Sequence, residues 1–203
     1  GNLVSILGDK SGHGRDAIQN NPSFKFTYTP ASINGESALV GTSDFMVTSL
    51  NIDPATNPVV TLVFAYEWND LGNAYLYGND NGGFDRFGVL KSAAAPNGGI
   101  SNGGGSTAVP GLGIASTVQV VWIEIQDGVA SGSKVYVNKV LNTVYTENNA
   151  APGTTSTAIG AINLAGATSF SGKLGTVLSF FRILSEIDRR WVTNKLTNKW
   201  GIT

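Results

Sequence analysis

Residues 58–66 read PVVTLVFAY and residues 118–125 read VQVVWIEI. Both are rich in β-branched and aromatic residues, the composition of strands. Neither alternates strictly enough for a sheet with one wet face, so both are read as central strands covered on both sides. Residues 173–183 have the same character. Residues 25–29, 45–48 and 133–138 alternate apolar with polar, as half-buried strands do. Turn signals separate the runs: Asn34-Gly35, Leu71-Gly72-Asn73, Gly82-Gly83, Asp127-Gly128 and the stretch 148–153. The pattern predicts an all-β sandwich.

One segment reads as a helix, over residues 186–199. Ser185 is placed to cap its N-terminus, Glu186 and Asp188 lie in the first turn, and Gly201 stands where a C-terminal cap belongs. Ile187 and Trp191, then Val192, Leu196 and Trp200, recur at four-residue spacing. They predict one apolar stripe, with Ile187, Trp191 and Leu196 buried. Arg189, Arg190, Lys195 and Lys199 are then expected on the solvent side. Residues 93–116 are almost uncharged and rich in Gly, Ser, Ala and Pro. They are read as a long surface loop inside one domain that spans residues 1–203.

Composition narrows the function. The 203 residues contain no cysteine and a single histidine, His13. That excludes disulfides and thiolate metal sites, and argues against a Ser-His-Asp triad. Thirteen basic residues against fourteen acidic ones leave a net charge of −1, with no footprint for nucleic acid. Charged residues make up 13% of the chain, about half the usual quarter, and 26 residues are glycine. The surface must therefore be largely neutral and polar, a profile common in all-β proteins that work outside cells. No apolar run is long enough for a membrane-spanning helix. The chain opens on Gly1 without a leader pattern, so it is expected to be excised from a longer protein.

The order of short motifs carries a resemblance. Asp9-Lys-Ser-Gly-His-Gly-Arg-Asp-Ala17 is followed by Ile33-Asn-Gly-Glu-Ser-Ala-Leu39. Further on come Lys134-Val-Tyr-Val-Asn138, Ala158-Ile-Gly160, Phe170-Ser-Gly-Lys-Leu174, Arg182-Ile-Leu-Ser185 and Lys199-Trp-Gly-Ile202. This series resembles the laminin-G-like branch of the concanavalin A-like lectin and glucanase superfamily over most of the chain. The resemblance implies a jelly roll of two antiparallel sheets with one C-terminal helix. Domains with this opening and closing are frequent in phage virion proteins and bacterial surface proteins. Two positions depart from the pattern. Ile6-Leu7-Gly8 replaces an aromatic before the opening Asp, and Lys139 stands where the strand-ending turn has glycine, so that turn is expected to differ. Glucanases of the superfamily carry three carboxylates on alternate positions of one strand. Glu124 and Asp127 are three apart and would point to opposite faces.

Candidate chemistry gathers between residues 68 and 87. Asn79-Asp-Asn-Gly-Gly-Phe-Asp85 offers hard oxygen donors at short spacing with glycines for a bend, which suits Ca²⁺ on Asp80 and Asp85. The same residues also suit an Asx-rich β-turn without metal. Asn69, Asp70 and Asn73 lie upstream, and Trp68, Tyr75, Tyr77, Phe84 and Phe87 are interleaved with them. Aromatic faces beside amides and carboxylates are what a saccharide site needs. Trp68 and Tyr75 are the expected stacking rings, with Asn79, Asp80 and Arg86 as hydrogen-bonding partners. Arg86 is a candidate for an acidic sugar, or for a structural pair with Asp85 or Asp80. The leading reading is a non-catalytic binding or structural module of a phage virion, in the capsid or tail, contacting glycan or host surface among other virion subunits. The alternative is a carbohydrate-binding or adhesion domain of a secreted bacterial surface protein, and the third class is a glycan-cleaving enzyme. The expected location is the virion or the cell surface, with no nucleic acid partner and no membrane insertion.

Overall fold

A computed structural model describes residues 2–69, 73–82, 85–91, 98–148 and 153–202. In chain order the strands are β1 (Asn2–Leu3), β2 (Ile6–Leu7), β3 (Ala17–Ile18), β4 (Thr27–Ile33), β5 (Glu36–Asp44), β6 (Met46–Thr48), β7 (Val59–Trp68) and β8 (Ala74–Gly78). Then follow β9 (Phe87–Lys91), β10 (Gly98–Ser101), β11 (Ser106–Val109), β12 (Val118–Gln126), β13 (Ser133–Val137), β14 (Val140–Tyr145), β15 (Thr157–Ile159) and β16 (Phe170–Phe180). Helix α1 (Glu186–Trp200) closes the chain. The strands form two antiparallel sheets of eight, in the orders β1-β4-β5-β16-β7-β12-β13-β14 and β11-β10-β9-β8-β15-β6-β3-β2.

The two decisive runs are β7 and β12, paired at the centre of the first sheet from Val118↔Glu67 to Gln126↔Val59. Alternation divides their side chains between two cores. Val60, Leu62, Phe64, Tyr66 and Trp68 join Val121, Ile123 and Ile125 between the sheets, against Leu76, Tyr77 and Ile159 of the second sheet. Val63, Ala65, Val120 and Trp122 face outward and are covered by Leu196 and Trp200 of α1. The helix is thus the second cover that makes both strands apolar on both faces.

The helix ends are as the sequence predicts. The Ser185 hydroxyl accepts from the Asp188 amide at 3.1 Å, and Gly201 adopts φ 71°. The buried face is not. Ile187 is 80% exposed and Trp191 63% exposed, while Thr193, Leu196, Thr197 and Trp200 are buried. At 100° per residue, positions 187 and 191 lie about 140° and 180° from Trp200, so the face of 193, 196, 197 and 200 meets the sheet instead. The Trp200 indole donates to the Thr176 hydroxyl at 3.0 Å. Trp191 instead lies near Lys195, whose ammonium is 5.8 Å from the ring centre. Arg189 also departs from expectation, because it shares the face of Thr193 and stacks on the Tyr136 ring at 3.9 Å.

The stretch 93–116 is not one loop. Its residues 98–109 form the β10–β11 hairpin, paired from Gly98↔Val109 to Ser101↔Ser106, while residues 92–97 lie outside the described residues. Backbone pairing needs no side chain, so Gly-Ser-Ala composition hid these strands. Asn138 and Lys139 link β13 and β14 with φ 48° and 77°. These are the angles of the turn glycine favours, retained with lysine in glycine's place. Asn138 tethers it: its amide donates to Val120 O at 2.9 Å and its Oδ1 accepts from Val120 N at 2.8 Å.

Candidate functional site

Strands β8 and β9 are joined by residues 79–86 at the rim of the second sheet, and most of the expected site residues lie there. The pairing Gly78↔Phe87 continues into Asn79, whose amide donates to Arg86 O at 3.1 Å. Gly78 is required by a close approach, since a Cβ there would lie 2.1 Å from Ile162 O. Positions 70–72 and 83–84, with Asp70 and Phe84 among them, lie outside the described residues.

Arg86 is a structural residue. It is fully buried, and its Nε donates to both Glu147 carboxylate oxygens at 3.1 Å. One terminal nitrogen reaches Glu147 at 2.9 Å and Pro58 O at 3.0 Å. The other donates to Ile52 O at 2.7 Å and to Asn57 O. All five guanidinium donors are therefore used, and none is left for an acidic sugar. Its partner is neither Asp85 nor Asp80. Glu147 was invisible to motif reading because a lone acid beyond β14, 61 positions away, carries no local signal.

Trp68 is also inward. It is 0% exposed and meets Phe170 edge-on at 5.1 Å, so it offers no face to a ligand. Its position continues the inward row of Leu62, Phe64 and Tyr66. Tyr77 is likewise buried, stacked on Phe64 at 5.4 Å. Tyr75 is the expected stacking residue that keeps an exposed part. It is half-buried and braced edge-on by Phe87 at 5.5 Å. Burial pushes its phenol pKa up, and the neighbouring Asp80 charge adds to the rise.

The oxygen donors form a compact group. Asp80 is half-buried, and its Oδ1 accepts from Gly82 N at 3.0 Å. The Asp85 carboxyl, on the same loop, is buried. Asp85 Oδ2 accepts from Asn81 N at 2.8 Å, whereas Asp85 Oδ1 has no partner among the described residues. Burial raises the Asp85 pKa first, with the Asp80 and Asp53 charges adding to it. Two neighbouring carboxyls favour either a shared proton or a cation between them. Asn79 is buried too, with Nδ2 donating to Thr154 O at 3.2 Å and Oδ1 unpartnered. It is not available as a surface hydrogen-bonding group. Its orphan oxygen and that of Asp85 are hard donors of the kind Ca²⁺ takes. Among the described residues no three His, Cys, Asp or Glu are grouped closely enough to hold a metal by themselves.

No protein-family model matches the chain, and no curated protein matches its sequence. Solved structures resemble it in fold. The sialidase of Trypanosoma rangeli matches 98% of this chain with TM-score 0.69 and 16% identity, over 32% of its own length. The binding domain of botulinum neurotoxin serotype D matches 95% with TM-score 0.60 and 12% identity, over 51% of its chain. A botulinum neurotoxin type C structure, whose cell entry depends on two ganglioside molecules, matches 96% with TM-score 0.57 and 8% identity, again over 51% of its chain. This chain therefore spans about half of the neurotoxin chains and about a third of the sialidase. At such identities the likeness is one of fold.

Proposed function

We propose that the chain is a non-catalytic recognition module that holds a saccharide at the β8–β9 rim. One observation carries the reading: Tyr75 on β8 and Asp80 on the loop it enters both keep an exposed part, and buried Asp85 accepts from the Asn81 amide next to Asp80 with one oxygen unpartnered among the described residues. Tyr75 supplies the stacking face and Asp80 the hydrogen-bond acceptor. Asp80 and Asp85, with the orphan Asn79 oxygen, would hold Ca²⁺, which when bound neutralises the carboxyl pair and stiffens the loop. The type C neurotoxin, whose cell entry depends on two ganglioside molecules, supports a glycan as the class of ligand.

A binding role is favoured over a glycosidase because Glu124, the acid of central strand β12, is otherwise engaged. Glu124 is buried and accepts from the Trp122 indole at 3.1 Å. Two carboxyl groups flanking a sugar bond need open access to it. We further propose a single domain over residues 1–203, displayed in many copies on a virion or cell surface as part of a longer protein. Weak single-site binding is then raised by avidity. The motif order and the low charge support that setting. Glycan-array binding in Ca²⁺ and in chelator tests the reading. Selective, Ca²⁺-dependent binding is expected, and an array without a single selective saccharide would overturn it.

A further inference from the structure

Helix α1 crosses the outer face of the first sheet, and the β13–β14 turn stands beside it. Between them lies a cleft of about 310 Å³ lined by Lys139, Arg189, Arg190, Thr193 and Asn194. Its size is that of a small-ligand site. Three of the five lining residues are cationic and none is acidic.

Arg189 is the opposite of Arg86. Its side chain is 12% exposed and stacks on Tyr136, so the guanidinium is held in place. Its nearest carboxylate, Glu124, is 3.9 Å away, beyond hydrogen-bonding distance. The Glu124 oxygen on that side already accepts from Trp122. The Arg189 guanidinium makes no hydrogen bond to the described residues, so a pre-positioned fork of donors is left open. Thr193, one turn on, is 3% exposed, and its hydroxyl has no partner among the described residues. A buried hydroxyl left unpaired is costly and points to a missing partner.

Lys139 adds a third, independent feature. It holds φ 77°, a conformation that favours glycine. It has no ion-pair partner among the described residues. Among the described residues Arg190 pairs only with Glu186 one turn back, both largely exposed. That surface pair is weak enough to exchange for a ligand.

We propose that this cleft binds an oxyanion: the carboxylate, sulfate or phosphate group of an acidic ligand. Arg189 supplies the bidentate fork and Lys139 a point charge, with Arg190 and Asn194 at the mouth and the Thr193 hydroxyl at the base. The site lies on the other sheet from the β8–β9 rim and does not depend on it.

Amide NMR titration of the full chain tests this, using glucuronate, inorganic sulfate and inorganic phosphate, with glucose as the neutral control. Saturable shifts confined to Lys139 and residues 189–194 are expected with at least one anion and not with glucose. The tightest anion identifies the group recognised. Lys139→Gly suits the backbone angle, so its Tm should stay level or rise while anion affinity falls about tenfold, or ~1.4 kcal/mol. Arg189→Lys keeps the charge but removes the fork and should weaken binding similarly. Tyr75→Ala should leave the titration unchanged. Absence of saturable shifts with all three anions, equal shifts with glucose, or unchanged affinity in Lys139→Gly would each overturn the proposal.

Discussion

Arg86 and Glu147 form a bidentate ion pair sealed from solvent, with side chains 0% and 1% exposed and 2.9 Å between the closest charged atoms. The pair ties the end of the β8–β9 loop to the chain beyond β14, and its remaining donors pin the carbonyls of Ile52, Asn57 and Pro58. It is the fixed base on which the Asp80–Asp85 group is presented.

Breaking one side of that pair should be severe. Removing a single partner of a buried ion pair typically costs about 3–5 kcal/mol. Glu147→Gln should fall in or near that range. Arg86→Met should lose more, because three backbone carbonyls lose their donor as well. Urea denaturation measures both. A loss below about 1 kcal/mol in Arg86→Met would mean that the guanidinium is not structural.

The two helix tryptophans should behave oppositely. Trp200→Ala removes a buried ring and its bond to Thr176, and should cost about 3–5 kcal/mol. Trp191→Ala should change stability by no more than about 0.5 kcal/mol, as exposed substitutions do. Equal losses would show that α1 is rotated from the orientation described.

Those contrasts mark where sequence reading succeeds. Residues 58–66 and 118–125 were legible as central strands because burial on both faces leaves an apolar run. The helix limits were legible because a serine cap and a terminal glycine are local signals. The helix face was not, since Ile187/Trp191 and Val192/Leu196/Trp200 are two rows and only packing selects between them. Alternation from Phe64 already aligned Trp68 with the inward row, but its neighbours Asn69 and Asp70 suggested a wet surface. Arg86 turns inward for a partner far along the chain, which local pattern does not reveal. Tyr75, Asp80 and Asp85 were chosen by residue chemistry; the structure leaves part of Tyr75 and Asp80 exposed and ties Asp85 to the Asn81 amide next to Asp80.

The carboxyl pair sets a cation prediction. Chelator should lower the Tm, and Ca²⁺ should restore it. A ligand at a hundredfold excess over Kd stabilises by about 2.7 kcal/mol, which at roughly 2–4 °C per kcal/mol is several degrees. Asp85→Asn should lose this response. Identical melting curves in chelator and Ca²⁺ would leave the loop as an Asx-rich turn with a shared proton.

Glu124 sets a pH prediction. Burial raises its pKa, opposed by the Trp122 bond and the Lys134 and Arg189 charges. The folded state then holds the proton more tightly than the unfolded one. Its stabilising contribution is full below the unfolded pKa and is lost as pH rises through the folded pKa. Asp44 and Asp85, also raised by burial, slope the same way. Asp9, lowered by bonds from Ser11 and Arg15, slopes the opposite way. The readout is therefore a difference: Glu124→Gln should show a smaller fall in stability between about pH 4 and pH 7 than the unsubstituted chain. Parallel curves would contradict the raised pKa.

The most direct test of glycan recognition at the β8–β9 rim is a binding isotherm for the saccharide selected on the array, taken with the unsubstituted chain, Tyr75→Ala and Asp80→Asn. The account predicts that either substitution abolishes binding. Tyr75→Ala should leave the Tm within a few degrees, because the ring is half-exposed. Retained binding in both variants, with the fold intact, would contradict it.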